Sequence, residues 1–243
     1  MNNNYINFPQ LTPFILNKNN PLIDLGYIKV EKKNSNLTLY DTVNYGELTT
    51  FNINNFNNVY SYVINFFKYI QKNNINREKV LILGFGIGGM PLKLSQDKNV
   101  KQIDSVDYDH NLFRIFKSLI KNPSNKLNYI HNDANKYVKN PNTKYDIIFD
   151  DIFDSKYGKV VLNYNDIYKS LNDNGYLFIN IHTKKQLFEI IPKLEKYEII
   201  DLINDEEKLL VCKKSNTKNY KSFEKYLKYK IKYINYQRRY VNQ

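Results

Sequence analysis

The sequence predicts an α/β fold in which a mostly parallel sheet is covered by helices on both faces. From residue 79 onward, short runs rich in β-branched residues and leucine alternate with segments that carry apolar residues at helical spacing. A glycine-rich turn, "GFGIGG", joins the first run to the first helical segment. Such an alternation is typical of parallel sheets, because parallel strands need a crossover connection that is usually a helix.

The alternating elements extend to residue 214. The predicted strands are 79–84, 101–107, 127–131, 145–150, 175–181 and a closing pair, "YEIIDLI" and "KLLVCKK", joined by "NDEE". The predicted helices are 88–96, 110–121, a short one near 133–139, 163–172 and 184–195. The connection between the closing pair is short, so the pair is expected to form an antiparallel hairpin. The sheet then has seven strands.

A smaller unit precedes this sheet. Residues 27–51 alternate apolar and polar side chains around an Asn-Ser-Asn turn, which predicts a small antiparallel lobe. Residues 56–72 have apolar residues at helical spacing, and a basic helix is predicted from Asn219 onward. The expected division is an N-terminal β lobe at 1–55, an α/β domain at 56–214 and a basic helical tail at 215–243.

Composition narrows the class of protein. The single Cys212 excludes a disulfide framework, and no Cys/His cluster has zinc spacing, so no metal is expected. The start, "MNNNYINFPQLTPFIL", lacks the basic and apolar regions of a secretory signal. No segment approaches the roughly 18 apolar residues that span a bilayer. A cytoplasmic protein without a membrane partner is therefore expected.

The positive charge lies in the tail. The net charge is +12, and residues 213–243 hold ten Lys and Arg with one acid, which leaves +3 for residues 1–212. Interleaved tyrosines and lysines suit base stacking and phosphate contact, so RNA or an acidic protein is one expected partner of the tail. The alternative is a helix that docks on the body through its apolar stripe and keeps a solvated basic face.

The glycine turn has the form of a nucleotide-binding loop. Gly84, Gly86 and Gly89 satisfy G-x-G-x-x-G, and Gly88 is an additional glycine. Asp107 ends the next predicted strand 18 residues after Gly89, where a carboxylate can accept both hydroxyls of a ribose. These features fit NAD and S-adenosylmethionine equally well.

Acids at later strand ends separate the two. Asp133 follows the third strand, where a carboxylate can accept a hydrogen bond from an adenine amino group. Asp150, Asp151 and Asp154 lie at the C-terminal end of the fourth strand, over the crevice in which such sheets bind ligands. Three acids repel a nicotinamide phosphate but attract a sulfonium or an ammonium. The pattern favours an adenosyl sulfonium.

The motifs together resemble a known family. In order and spacing, five stretches resemble motifs of the spermidine synthase family of aminopropyltransferases and of its methyltransferase relatives. They are "VLILGFGIGG", "IDSVDYDHNLFRIFK", "HNDANKYV", "KYDIIFDDIFDS" and "NGYLFINI". The resemblance runs from about Tyr27 to Cys212. It implies a Rossmann-like, seven-stranded sheet of the methyltransferase type with a small N-terminal β lobe.

The resemblance also implies roles for individual residues. Asp107 matches the ribose-binding acid, Asp133 the adenine-binding acid, Asp151 the base and Asp154 its amine-binding partner. The expected cofactor-binding residues are Gly84, Gly86, Gly88, Asp107, Asp133 and Ala134. The expected catalytic residues are Asp151, Asp154 and Tyr60.

Four positions depart from the family pattern. Ile87 stands where the glycine loop usually carries an acid that binds the aminopropyl amine. The family's Tyr-His-Glu appears as Tyr60, Ser61 and Tyr62, so the tyrosine is kept and the other two residues are not. Asn180 replaces a glutamine after the fifth strand and keeps the amide.

The functional expectation is aminopropyl transfer from decarboxylated S-adenosylmethionine to a diamine such as putrescine. Two alternatives stay open: a methyltransferase that uses S-adenosylmethionine on an amine acceptor, and a non-catalytic member that acts as a binding module. The D-x-x-D retained from the family pattern favours an amine acceptor, whereas Ile87 favours the donor that keeps its carboxylate. A homodimer is also compatible with the sequence.

Overall fold

The computed structural model of the 243-residue chain describes ten segments. They are residues 16–17, 20–24, 28–41, 46–52, 60–120, 124–140, 143–154, 158–160, 162–204 and 208–215. Residues 56–59 of the predicted first helix and the basic helix predicted from Asn219 lie outside these segments. The tail's helix and its RNA or acidic partner therefore stay predictions.

The N-terminal lobe is a five-stranded antiparallel sheet whose strands follow one another in chain order. Its strands are β1 (Leu16–Asn17), β2 (Asn20–Asp24), β3 (Ile28–Lys33), β4 (Asn36–Asp41) and β5 (Gly46–Asn52). A two-residue turn joins β3 to β4, and its Asn34 has φ +55°, a conformation that asparagine tolerates better than most residues. Val30, Leu37 and Leu39 are buried. The antiparallel lobe predicted from alternation is confirmed.

The larger sheet has seven strands in the order β13-β14-β12-β9-β6-β7-β8. The strands are β6 (Lys79–Leu83), β7 (Gln102–Asp107), β8 (Leu127–His131), β9 (Tyr145–Asp150), β12 (Leu171–Ile181), β13 (Tyr197–Asn204) and β14 (Lys208–Lys214). The five strands from β12 to β8 are parallel neighbours, and β14 and β13 are antiparallel. The predicted mostly parallel sheet with a closing hairpin is confirmed.

Six helices and a short strand pair occupy the connections of the described segments. The helices are α1 (Ser61–Lys72), α2 (Gly89–Ser95), α3 (His110–Leu119), α4 (Ala134–Lys139), α5 (Tyr164–Ser170) and α6 (Lys184–Ile190). The strand pair is β10 (Phe153–Asp154) with β11 (Gly158–Lys159). Side chains of Asp109, Asp133, Asn163 and Thr183 accept backbone N–H groups at four helix starts, which satisfies donors that a helix leaves unpaired.

Two predicted boundaries differ from the structure by four or more residues. The last helix ends at Ile190 and continues as one 3₁₀ turn, Ile191–Lys193, because Pro192 has no N–H for an α-helical bond. Strand β12 begins at Leu171, four residues before the predicted start. Its pairing with β9 is irregular up to Tyr176, and the irregular stretch includes Asn174 at φ +62°.

The core covers both faces of the larger sheet. Every residue of β9 is buried, so its strand shows no alternation of polar and apolar side chains. On the face covered by α1, Phe66 makes edge contacts with Phe149 and Phe178 at centroid distances of 5.1 and 4.8 Å. On the other face, Ile148 packs in a cluster with Ile167 of α5. No helix within the described segments is both long and apolar enough to cross a membrane.

Candidate functional site

A cavity of about 510 Å³ opens at the carboxyl ends of the parallel strands. Its wall combines the glycine turn after β6, the ends of β7 and β9, the start of α4, the end of β12 and the first turn of α1. Crevices at this edge of a doubly covered sheet are where such folds bind ligands. Its volume lies in the usual range for a small-molecule site.

Glycine is required at two positions of the turn for different reasons. Gly84 has φ +94°, and a Cβ there would lie 2.7 Å from the backbone oxygen of Asp151. The missing side chain therefore lets the end of β9 approach the turn. Gly88 has φ +84°, and a Cβ there would meet the Phe116 ring at 2.5 Å. Gly88 thus faces the core, and Gly84, Gly86 and Gly89 are the glycines at the cavity wall.

Asp107 lies at the end of β7 and braces the glycine turn. Its Oδ2 accepts the Phe85 N–H at 2.7 Å, and its Oδ1 accepts the Asp109 N–H at 2.9 Å. Each carboxylate oxygen has a second lone pair, so both can also accept a hydroxyl. Burial raises the pKa of Asp107, and the backbone hydrogen bonds oppose that rise. The residue lines the cavity, as a ribose-binding acid must.

Asp133 and Ala134 lie beside Asp107 at the start of α4. The Asp133 side chain caps this helix, since its Oδ1 accepts the Lys136 N–H at 2.9 Å. It is exposed and lines the same cavity, so the capping role leaves one carboxylate oxygen for a ligand. Ala134 is buried in the cavity wall. The structure therefore brings Asp107, Asp133 and Ala134 together at one end of the cavity.

Strands β9 and β7 flank β6 on opposite sides, so Asp151, directly after β9, lies at the other end of the cavity. Both of its carboxylate oxygens accept hydrogen bonds. Its Oδ2 accepts the Tyr62 hydroxyl at 2.8 Å, and its Oδ1 accepts the Asn180 Nδ2 at 2.9 Å. Its backbone N–H donates to Leu83 at 2.8 Å, which ties the residue to the end of β6. All of these side chains line the cavity apart from Leu83. The arrangement presents a carboxylate in one orientation.

Asn180 has a second polar atom at this site. Because a carboxylate only accepts hydrogen bonds, the amide nitrogen must be the atom that faces Asp151. The amide oxygen is then directed elsewhere, and it is buried without a hydrogen-bond partner among the described residues. Such an acceptor is costly unless a ligand or water donates to it.

The three acids after β9 do not share one environment. Asp150 is fully buried, and its Oδ2 accepts the Tyr164 hydroxyl at 2.9 Å beneath α5. The expectation that Asp150 lies over the crevice is wrong, because consecutive residues of a strand face opposite sides of the sheet. Asp154 belongs to β10, and its backbone pairs with Gly158. The side chain of Asp154 lies outside the described part of the chain.

Three further side chains line the cavity, and of these only Tyr60 is a catalytic residue predicted from the sequence. Tyr60 precedes α1, lines the cavity and stacks on Tyr62 with ring centroids 6.1 Å apart. Ile87 is buried in the wall, where the family pattern has an acid. His182 also lines the cavity and contacts Phe153 edge to face at 5.0 Å. Its position directly after the strand end of β12 was the available signal.

Asp107→Ala is expected to weaken methylthioadenosine binding by about 1.5–3 kcal/mol, because hydrogen bonds to a charged group are lost. Burial raises the pKa of Asp107 in the free protein, and in the predicted ribose-binding role it is the ionised carboxylate that accepts the hydroxyls. Wild-type affinity should therefore be complete above that raised pKa and decline as the pH falls through it. Isothermal titration across this pH range measures both effects.

The matched control is Asp173→Ala, which removes a well-exposed acid outside the cavity. We expect it to bind methylthioadenosine like the wild type. Equal affinity of the Asp107 variant and the control would exclude Asp107 from the nucleoside site.

Fold and site define a Rossmann-like domain with a nucleoside-sized cavity and a carboxylate at its far end. Residues 58–214 match the family model described as spermine/spermidine synthase domain. The chain belongs to this family.

Curated relatives are similar over part of the chain. The polyamine aminopropyltransferase of Clostridium botulinum (strain Eklund 17B / Type B) is 30% identical over 118 residues, which cover 45% of this chain and 41% of that protein. The polyamine aminopropyltransferase of Methanocaldococcus jannaschii is 26% identical over 137 residues, 50% of this chain and 45% of that protein. The matched region thus spans less than half the length of these relatives.

Solved structures show the same fold. A probable spermidine synthase from Corynebacterium glutamicum superposes with a TM-score of 0.63 at 14% identity, over 81% of this chain and 80% of that chain. Spermidine synthase from Thermotoga maritima superposes with a TM-score of 0.51 at 12% identity, over 82% and 73% of the two chains. Both likenesses extend beyond the matched domain of 157 residues and agree with the predicted fold class.

Proposed function

We propose that this protein transfers an aminopropyl group from decarboxylated S-adenosylmethionine to a small amine such as putrescine. The observation that carries the proposal is the site at Asp151, where a fixed carboxylate adjoins the Asn180 amide oxygen, which has no hydrogen-bond partner among the described residues. Membership of the spermine/spermidine synthase family and the similarity to polyamine aminopropyltransferases support the same class of reaction.

The nucleoside end supplies binding and orientation. In this proposal Asp107 accepts hydrogen bonds from the ribose hydroxyls, and Asp133 accepts one from the adenine amino group. The backbone of the turn from Gly84 to Gly89 contacts the ligand. The cavity joins this end to Asp151 without a break. Holding both reactants in one cavity converts a bimolecular displacement into an effectively unimolecular step.

The acceptor end supplies charge and a proton acceptor. An alkyl amine has a pKa near that of lysine, about 10.4, so at neutral pH it arrives protonated and is not nucleophilic. Asp151 binds the ammonium and accepts one proton from it, and the Asn180 amide oxygen accepts a second N–H. The nitrogen lone pair then attacks the carbon next to the sulfonium. The new C–N bond forms as the C–S bond breaks. The electron pair of the C–S bond stays on sulfur, so the leaving group is a neutral thioether.

Two residues of the proposed machinery follow from the resemblance. Asp154 is proposed as the second amine-binding carboxylate, on the D-x-x-D spacing that it shares with Asp151. Tyr60 is proposed to contact the reactants, since it lines the cavity next to Tyr62.

Methyl transfer is the second candidate, and Ile87 is the observation that favours it. This side chain is 1% exposed and forms part of the cavity wall. An acid at this position attracts the free ammonium of the decarboxylated donor and repels the carboxylate of ordinary S-adenosylmethionine. Ile87 does neither, so the wall no longer discriminates against the ordinary donor by charge.

Parallel calorimetry and turnover assays test the proposal. S-adenosylmethionine, its decarboxylated form and methylthioadenosine are titrated separately, and each sulfonium is then incubated with putrescine. Aminopropyl transfer predicts spermidine and methylthioadenosine as products from the decarboxylated donor. Methylated amine from ordinary S-adenosylmethionine would establish the second candidate instead, and binding without either product would leave a binding module.

Ile87→Asp is expected to shift donor preference toward decarboxylated S-adenosylmethionine by roughly 10-fold or more, the scale of one charge interaction at a partly desolvated site. Ile87→Asn is the matched control, because asparagine is polar and of the same size as aspartate but carries no charge. The ratio of the two donor affinities is the measurement. A ratio that changes equally in both variants would show that charge at position 87 does not select the donor.

A further inference from the structure

Tyr62 contacts the proposed base from outside the sheet. It lies in the first turn of α1 and is 89 residues from Asp151 in the chain, yet its hydroxyl donates to Asp151 Oδ2 at 2.8 Å. The ring is 7% exposed and packs against Phe149 at a centroid distance of 6.1 Å and against Tyr60. The phenol oxygen is therefore positioned by core packing rather than by a flexible side chain.

Asn180 contacts the same carboxylate from within the sheet. It belongs to β12, the strand adjacent to β9, and its amide nitrogen donates to Asp151 Oδ1 at 2.9 Å. The two donors thus hold different oxygens and approach from different layers of the fold. One rotamer of Asp151 satisfies both, so rotation of the carboxylate breaks at least one hydrogen bond.

We propose that Tyr62 is a positioning residue that holds Asp151 ionised and oriented toward the acceptor amine. The inference rests on the proposed function of Asp151 as base. Hydrogen bonds donated to the charged form of a carboxyl group favour that form over the protonated one. An ionised Asp151 can bind an ammonium, whereas a protonated one cannot. Tyr62 thereby extends the pH range in which the amine is captured toward lower pH.

Other titratable groups share this cavity and enter the interpretation of any pH profile. Those in the described wall are Tyr60 and Tyr62 at α1, Asp107, Tyr108 and Asp109 at the end of β7, Asp133 before α4, and His182 after β12. Histidine is the one residue type among these whose free side chain titrates near the pH of most enzyme assays, at about 6.5. Measurements in a His182→Gln background remove its contribution.

Tyr62→Phe tests the proposal, because it removes the hydroxyl and keeps the ring. With saturating donor and putrescine, the acid limb of kcat is expected to move to higher pH by about one unit, the equivalent of one hydrogen bond to a charged group. The same shift should appear in the His182→Gln background. The affinity for methylthioadenosine should match the wild type, since the nucleoside end is unchanged.

Tyr69→Phe is the matched control. It makes the same chemical change on the same helix, but Tyr69 packs against Phe178 at 5.8 Å and does not line the cavity. A general loosening of α1 would lower the melting temperature in both variants without moving the acid limb. An acid limb that stays in place in an active Tyr62→Phe protein overturns the proposal.

A stability cycle separates failure of this inference from failure of the proposed function. Unfolding of the wild type, Tyr62→Phe, Asp151→Asn and the double variant is followed at several pH values. Coupling between the two residues is expected to be present at neutral pH and to vanish in acid, where the carboxylate is protonated. This result requires no catalysis. Absence of coupling at neutral pH would overturn the proposal even in a protein without transferase activity.

Discussion

Replacing Asp151 by Asn is expected to lower turnover on an amine by about 100-fold or more, because the variant keeps the shape of the side chain and loses the proton acceptor. An Asn side chain can still accept the Tyr62 hydroxyl, and Asn180 can turn its amide oxygen toward the new NH₂ group. The architecture is therefore preserved while the charge that is proposed to bind the ammonium is removed. Steady-state kinetics with the donor that the wild type uses is the measurement.

The proposed nucleoside end of the cavity provides an internal control. Asp107 and Asp133 lie at the opposite end of the cavity, so methylthioadenosine should bind the Asp151 variant as it binds the wild type. Asp150→Asn is the matched control: it alters the neighbouring carboxylate, which is fully buried beneath Tyr164. That change is expected to reduce stability and to leave the turnover of the folded protein close to wild type. Full activity of the Asp151 variant would remove this residue from the role of base.

Much of the fold follows from local patterns in the sequence. Runs such as "VLIL" in β6 and "IIF" in β9 are apolar throughout, as strands covered on both faces must be, and their order predicts a parallel sheet. In a parallel sheet all carboxyl ends meet at one edge. Asp107, Asp133 and Asp151 therefore share a cavity although they are far apart in the chain.

The same uniform burial explains why the acids after β9 were not distinguished by pattern. In a strand with one solvated face, alternation shows which side chains point to the core. Strand β9 is buried throughout, so it provides no such reference for Asp150 and Asp151. Their opposite surroundings depend on α5 and α1, which pack on the two faces.

Tyr62 could not be assigned from helical periodicity. Its spacing places it on the apolar face of α1, and the ring is indeed buried against the core. Only the position of α1 relative to β9 brings its hydroxyl to Asp151, and that position is a tertiary property. The glycines show a similar limit: the motif identifies the turn, but the contact with Phe116 decides that Gly88 faces inward.

Gly84→Ala is expected to destabilise the protein by about 2–4 kcal/mol through two effects that act together. At φ +94° a side chain strains the backbone, at a typical cost of 1–3 kcal/mol, and overpacking in a dense interior adds a similar amount. The new Cβ would meet the backbone oxygen and carbon of Asp151 at 2.7 and 2.9 Å. Backbone atoms cannot rotate away, so the end of β9 must move.

Thermal unfolding measures this cost, and a melting temperature lower by about 5–15 °C is expected for a domain of this size. Gly89→Ala is the matched control, because Gly89 begins α2 with an ordinary helical φ and alanine favours helices. Moving the end of β9 also displaces Asp151 from Tyr62 and Asn180, so turnover should fall further than the loss of folded protein explains. If the two alanine variants melt alike, the missing side chain of Gly84 is not what lets the end of β9 approach this turn.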